Sequence, residues 1–348
     1  MESKRKGFWP ALALFFLAPA TGELLSGSAP PAEFFNPFTL FLLAALYGSG
    51  AILIREMRVR WDKGWPTVFA LGAAYGIIEE GLMVKSFFDP NWMDIGLLGT
   101  YGRWAGVNWV WSLELTIYHA IISISIPILL VEMFFREQRD QPWLGRRGMS
   151  LLAFLITADV LFGFLFLTPY RPPLIPYLMA IILVVLLYQL ARRLPSRLPE
   201  HWFKPNLSEG PTAGETGKPA LPAKKWFWLA GFLGTLIFFL INWVWPNLNV
   251  PVLTTLLGSV VLVGAALKII QWMSRSGAWD EAHQLALAAG ALSFFIVLAP
   301  LQEMDQTRVD NTSGMTAVGL AAIIFLIWLW KRVNKKPDLL PLPAEARS

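Results

Sequence analysis

The chain has 348 residues, of which 55% are hydrophobic and only 15% charged, with a mean hydropathy of +0.50, where soluble domains carry roughly 25% charged residues. This composition excludes a soluble enzyme, a coiled coil and a disordered chain as descriptions of the whole, and it identifies an integral membrane protein. The absence of cysteine removes disulfides, thiolate chemistry, Cys-ligated zinc and iron–sulfur clusters, and the net charge of +5 follows from loop placement rather than from nucleic-acid binding.

Apolar runs of about 20 residues, enough to cross roughly 30 Å of hydrocarbon, predict ten spans at 8–25, 38–54, 66–88, 109–134, 149–168, 173–191, 226–245, 250–272, 284–300 and 315–330. The expected fold is all-α, a polytopic transmembrane bundle with both termini on one side. Assigning the N-terminus to the cytoplasm leaves 25 of the 29 Lys and Arg inside and only Lys85, Arg103, Arg171 and Arg308 outside, the asymmetry of the positive-inside rule. The expected location is a bacterial-type plasma membrane, with the lipid bilayer as the partner and cytoplasmic termini. Trp9, Trp65, Trp109, Trp111, Trp226, Trp228, Trp243, Trp245, Trp272, Trp328 and Trp330 fall near span ends, where interfacial anchors belong.

The first run follows Lys4 to Lys6 and contains Ala18, Pro19 and Ala20, features shared with a signal peptide. Its continuation through Leu24 and Leu25 favours a retained helix. Residues 1–191 form a six-span half, 192–225 a proline-rich flexible cytoplasmic linker, 226–331 a four-span half and 332–348 a tail. Six plus four argues against a simple five-plus-five inverted repeat. Between spans three and four, the Gly- and Trp-rich stretch from Asp89 to Asn108 suits either a folded cap or an interfacial loop with aromatic anchors, and the loop is the expectation.

An ionisable side chain near mid-bilayer costs at least roughly 2.5 to 3.5 kcal/mol on insertion scales, so those that persist are functional candidates. Glu79 and Glu80 in span three, His119 in span four and Asp159 in span five fall near one depth, with Glu114 nearer the outer face. Neighbouring helical residues diverge by about 100°, so only one glutamate of the pair is expected to face His119. Such a cluster suits a proton relay or a metal site; Glu79, His119 and Asp159 are the candidate ligands, and a divalent metal such as zinc is the implied cofactor. Asn242, Lys268, His283 and Glu303 lie near span ends, where polar groups reach the headgroups cheaply. His283 reads as a helix-start residue beside Asp280 and Glu281, His201 as an exposed linker residue, and Arg55 with Glu56 as an ion pair at the membrane interface.

The run from Gly76 to Lys85, with Glu79 and Glu80 at its centre and His119 on the next span, resembles the CAAX-protease and bacteriocin-processing family of intramembrane proteases. That family carries EExxxR on one helix, FxxxH on the next and a later HxxxN or HxxxD. The resemblance covers about 45 residues and implies that Glu79 or Glu80 activates water beside His119. Val84 stands at the motif's Arg position with Lys85 one residue later, Leu115 replaces the Phe, and no third-motif His follows.

Three functions use these residues differently: an intramembrane hydrolase with catalytic Glu79, Glu80 and His119, a proton- or cation-coupled small-molecule transporter, and a non-catalytic assembly protein in which the polar level only joins helices. No P-loop, HExxH, nucleophile elbow or GxGxxG accompanies the spans. The threading is testable directly: topology reporters fused after residues 210 and 310 are expected on opposite faces of the membrane, and reporters on the same face overturn the ten-span arrangement.

Overall fold

The structure, a computed structural model, describes residues 7–195, 221–274 and 279–335. Most of the expected linker, His201 and most of the C-terminal tail lie outside the described residues. The chain forms helix after helix, as the composition requires: α1 Phe8–Leu24, α2 Pro37–Arg60, α3 65–83, α4 Trp109–Phe134, α5 Arg146–Leu167, α6 Leu174–Arg193, α7 Lys224–Val244, α8 Val252–Met273, α9 Glu281–Met304 and α10 Met315–Asn334. These ten match the ten predicted spans. Eight are long and apolar enough to cross a membrane; α1 is shorter, and α3 carries the acidic pair.

The helix ends show why the breaks fall where they do. Asn36 caps α2 by accepting from the Phe38 and Thr39 amides, with Pro37 preset in the first turn. Asp280 caps α9 by accepting from the His283 amide at 2.9 Å, so His283 is the helix-start residue expected. Glu303 accepts from the Gly314 and Thr316 amides, both at 2.8 Å, satisfying donors that the first turn of α10 leaves free.

Successive helices alternate between two ends of the bundle. At one end Gln302 reaches the Ser26 carbonyl at 2.7 Å and Arg308 reaches the Gly27 carbonyl at 2.8 Å, tying the loops after α1 and α9. At the other, Arg136 and Arg139 pair with Glu281 at 2.6 and 2.7 Å. The second end carries the arginine-rich loops and the first carries a cap.

That cap is the segment expected as an interfacial loop. It is folded instead, because it has its own apolar core: Phe87, Phe88, Ile95, Leu98 and Val107 are buried. A turn of 3-10 helix at Gly96–Gly99 precedes a two-residue antiparallel hairpin, β1 Arg103–Trp104 with β2 Val107–Asn108. The Asn108 amide holds the Ser86 and Asp89 carbonyls at 3.1 and 2.9 Å. The cap begins early because α3 stops at Met83 rather than near 88, and Lys85 then takes a left-handed φ of 66°. Its ammonium donates to the Phe164 and Thr168 carbonyls at 2.7 and 3.1 Å, a cation on the open end of α5.

α4 is the axis of the packing. Ile124, Ile128 and Val131 join a core with α1, α2, α3 and α5, while Tyr118, Ile122, Ile126 and Leu130 join a second core with α7, α9 and α10. Of its apolar stretch 78% is buried, against 6% for α6, so α6 presents its length outward as a lipid-facing helix does.

Arg55 at the arginine-rich end pairs with Glu56 as expected, but as part of a larger buried network. It is fully enclosed, bonded to Glu132 at 3.1 Å, Glu56 at 2.9 Å, the Gln138 carbonyl at 3.0 Å and the Gln141 carbonyl at 2.7 Å, with its guanidinium 3.7 Å from the centroid of the Trp143 ring. Only the planar five-donor fork of arginine serves so many acceptors at once, and burial is tolerated because each is met. Replacing Arg55 by Met strips Glu132 and Glu56 of a buried partner and is expected to cost about 3–5 kcal/mol in reversible SDS unfolding in bicelles, with Arg55→Lys intermediate. Wild-type stability in Arg55→Met would remove this hub from the account of the fold.

Candidate functional site: a carboxylate–histidine centre

Six of the described helices depart from regular α geometry in short π-helical stretches; two of these, Gly163–Leu167 in α5 and Leu240–Val244 in α7, end their helices, and the other four are Ala20–Leu24 in α1, Ala44–Gly48 in α2, Ile77–Met83 in α3 and His119–Ser125 in α4. These contain Glu23, Tyr47, the Glu79–Glu80 pair and His119 with Ser123. A π turn widens the helix and re-aims its side chains, and such turns concentrate at functional sites. Here four of them face one another.

Close backbone approach brings them together. A Cβ on Gly76 would lie 3.0 Å from the His119 Cβ, and one on Gly22 would lie 2.7 Å from the Tyr47 ring and 2.9 Å from the Ser123 hydroxyl oxygen. Glycine lets α3 and α1 close on α4 at these points without displacing His119, Tyr47 or Ser123.

His119 is the centre and is 2% exposed. Its Nε2 lies 3.2 Å from Glu80 Oε1, its Nδ1 lies 3.4 Å from Glu79 Oε2, and Nδ1 also meets the Ser123 hydroxyl at 3.1 Å. The expectation that only one glutamate faces His119 is therefore corrected. The π turn changes the angle between neighbouring residues, and an imidazole presents nitrogens on two edges, so two diverging carboxylates each find one.

Around this triad, Ser86 donates to Glu80 Oε2 and accepts from the Trp111 indole at 3.0 Å. Tyr47 donates to Glu23 and packs its ring 5.9 Å from His119, while the Tyr75 and Tyr118 rings lie 6.1 and 5.3 Å from it. Asp159 is 5% exposed and within electrostatic reach of Glu79, yet neither of its oxygens has a hydrogen-bond partner among the described residues. The Glu79 Oε2 and Tyr75 hydroxyl oxygens are likewise buried without a hydrogen bond.

The predicted residues thus gather, with altered roles. Glu79, Glu80 and His119 offer one ligand atom each, all within 4.8 Å of one another. Ligands on a tetrahedral zinc at 2.0–2.1 Å stand roughly 3.3 Å apart, so a small inward movement would suit a divalent ion. Two carboxylates would balance its charge. Glu80 takes the place in this cluster expected for Asp159, which stands to one side on α5. Glu114 is 2% exposed and turns away, accepting from the Trp243 indole at 2.7 Å. Trp111 and Trp243 commit their indole N–H groups to Ser86 and Glu114; the Trp111 ring is buried, while Trp243 stays half-exposed near the end of α7. Asn242 lies near the end of α7 as expected, but it is buried against α8 and bonded to Ser259 at 3.1 Å rather than reaching toward the headgroups.

Glu23, Tyr47 and Ser86 are the members that sequence reasoning missed. Glu23 stands two residues from the end of the first predicted span, where a carboxylate is cheap, and a tyrosine or serine carries no insertion penalty large enough to mark it. The motif position filled by Val84 and Lys85 contributes no cation to the site, because Lys85 is turned to the end of α5.

Fold and site together define a polytopic helical membrane protein with a carboxylate–histidine centre between its helices. The chain matches the model of an uncharacterized membrane protein family over residues 12–250 and belongs to that family; the matched stretch contains every residue of the centre. No curated protein and no solved structure matches the chain.

If the triad holds a divalent ion, protein purified without chelator should retain close to one equivalent by elemental analysis. His119→Ala is expected to lower retention at least tenfold, and lowering the pH to weaken it as protons compete for the ligands. Equal metal content in wild type and His119→Ala would exclude the triad as the holder.

Proposed function

We propose that the chain is an intramembrane hydrolase of the kind its Glu79–Glu80–His119 pattern resembles, in which a glutamate activates water beside a fixed histidine. The observation that carries this reading is the uneven use of the two carboxylates. Glu80 is occupied at both oxygens, by His119 Nε2 and by Ser86, so it orients the ring. Glu79 has the Tyr47 and Tyr75 hydroxyls close to its carboxylate, but its Oε2 is buried beside His119 Nδ1 without a hydrogen bond of normal geometry, so it is the less firmly held acceptor and the better placed general base.

With His119 charged, Nε2–H donates to Glu80 and Nδ1–H to the Ser123 hydroxyl, with Glu79 Oε2 3.4 Å from Nδ1. Water hydrogen-bonded to Glu79 Oε2 gives it one proton and adds its oxygen to the substrate carbonyl, and the imidazolium beside it steadies the negative charge that develops on the carbonyl oxygen. A divalent ion bound by the triad would add polarisation of that water. Burial strengthens each of these interactions by excluding competing solvent.

A proton- or cation-coupled transporter is the second reading, favoured by the surplus of acid. Glu23 lies in electrostatic reach of Glu79, Glu80 and His119, and Asp159 in reach of Glu79, with His119 the basic side chain between them among the described residues, and such a group gains and loses cations readily.

Incubation of the reconstituted protein with membrane lipid and peptide extracts in ¹⁸O-water separates the two. A hydrolase yields ¹⁸O-labelled products; Glu79→Gln should lower their formation at least about 100-fold, as loss of a general base does, and Glu80→Gln should do so less. Label incorporation that is no greater than in Glu79→Gln, together with proton flux in proteoliposomes, would assign the same residues to transport.

A further inference from the structure

At the cap end, a cavity of about 260 Å³ lies between the cap and the α7–α8 turn, walled by Asp94, Trp111, Asn242, Trp243 and Asn247 together with Pro246 and leucine and isoleucine side chains. It stands directly outside the carboxylate–histidine centre, because Trp111 in its wall donates to Ser86, which donates to Glu80. The chemistry of the wall is one-sided. Most of its side-chain N–H groups are already committed: Trp111 to Ser86, Trp243 to Glu114, Asn242 to the Phe238 carbonyl and Ser259, and one of the two Asn247 N–H groups to the Trp243 carbonyl at 2.7 Å. The Asp94 carboxylate accepts no hydrogen bond among the described residues. Arg308, the cation within electrostatic reach of Asp94, is held by Asp310 at 2.8 Å and by the Gly27 carbonyl, and it does not line the cavity.

A wall with a free carboxylate, two indole rings and no lining cation suits a positively charged donor. Indole is the best aromatic partner for such a group, and a carboxylate supplies the countercharge. Acetate or phosphate would meet Asp94 with like charge and find most of the wall's N–H groups already engaged.

We infer that this cavity binds an organic ammonium group, and that the substrate of the neighbouring centre carries one. The second half of the inference rests on the hydrolase reading; the binding site does not. The α7–α8 turn and the cap lie at a loop end of the bundle, so the ammonium can belong to a zwitterionic lipid headgroup or to a free small amine, and the recognition is the same.

The test is calorimetric titration of the full-length protein in nanodiscs of phosphatidylglycerol, a lipid without an amine. Choline is the probe and 3,3-dimethylbutan-1-ol, its uncharged isostere, the control. Choline should bind at least tenfold more tightly than the isostere. Asp94→Asn, which keeps the shape of an exposed side chain, should remove most of that preference, and Asp94→Lys all of it. Repeating the titration in phosphatidylcholine nanodiscs identifies the source: weakened choline binding there means that the lipid headgroup occupies the cavity, and unchanged binding means a free amine, either result supporting the ammonium site. Equal affinity for choline and its isostere, no binding of either, or indifference to Asp94→Lys overturns it. Because binding is read without turnover, a protein that prefers choline but incorporates no ¹⁸O sinks the hydrolase and leaves the site, and the reverse result sinks the site alone.

Discussion

Carboxylates are costly in hydrocarbon, and two adjacent ones on one helix can stay there only if something shares their charge and keeps lipid away. His119 does the first for Glu79 and Glu80, and much of the remaining architecture does the second. α4 must run through the middle of the bundle to carry the ring. α3 and α1 must approach it at glycines, and the cap must close the end where α3 stops. Trp111, Ser86 and Ser123 then satisfy the acceptors and donors that the triad leaves over.

The two ends of the bundle handle buried charge in opposite ways. The Arg55 guanidinium is matched on every side, with carboxylates on one side, carbonyls on the other and an indole face beneath, although its neighbour Arg58 keeps a buried Nε without a hydrogen bond. Such a network holds loops in place. Around His119 the acids outnumber the cation, and Glu79, Tyr75 and Asp159 keep atoms without hydrogen bonds. Natural proteins seldom leave buried polar atoms unpaired without a purpose, and more of them gather near His119 than near Arg55.

Four π-helical stretches meeting at one place account for a geometry that regular helices could not supply. In a uniform α-helix Glu79 and Glu80 would diverge by about 100°, and a single partner ring would serve only one. The wider turn and the two-edged imidazole together allow both. The same local widening aims Glu23 and Tyr47 inward from α1 and α2, which turns a three-residue cluster into a site drawn from five helices once Asp159 is included.

Composition and hydrophobic run length alone determined that the protein is a membrane helical bundle, where its ten helices lie, and that Glu79, Glu80 and His119 belong together, because the cost of burying charge and the length of a bilayer are written into one dimension. Tertiary structure decided what depends on who sits opposite. It made the Arg55–Glu56 pair part of a buried hub, turned Lys85 toward α5 rather than toward the glutamates, and tied the Trp111 and Trp243 indoles to Ser86 and Glu114. It also brought Glu23 in from a helix end and folded the 84–108 segment into a cap. Each of these rests on a partner distant in sequence, on a left-handed residue or on a π turn, and none of them alters the hydrophobic pattern from which the spans are read.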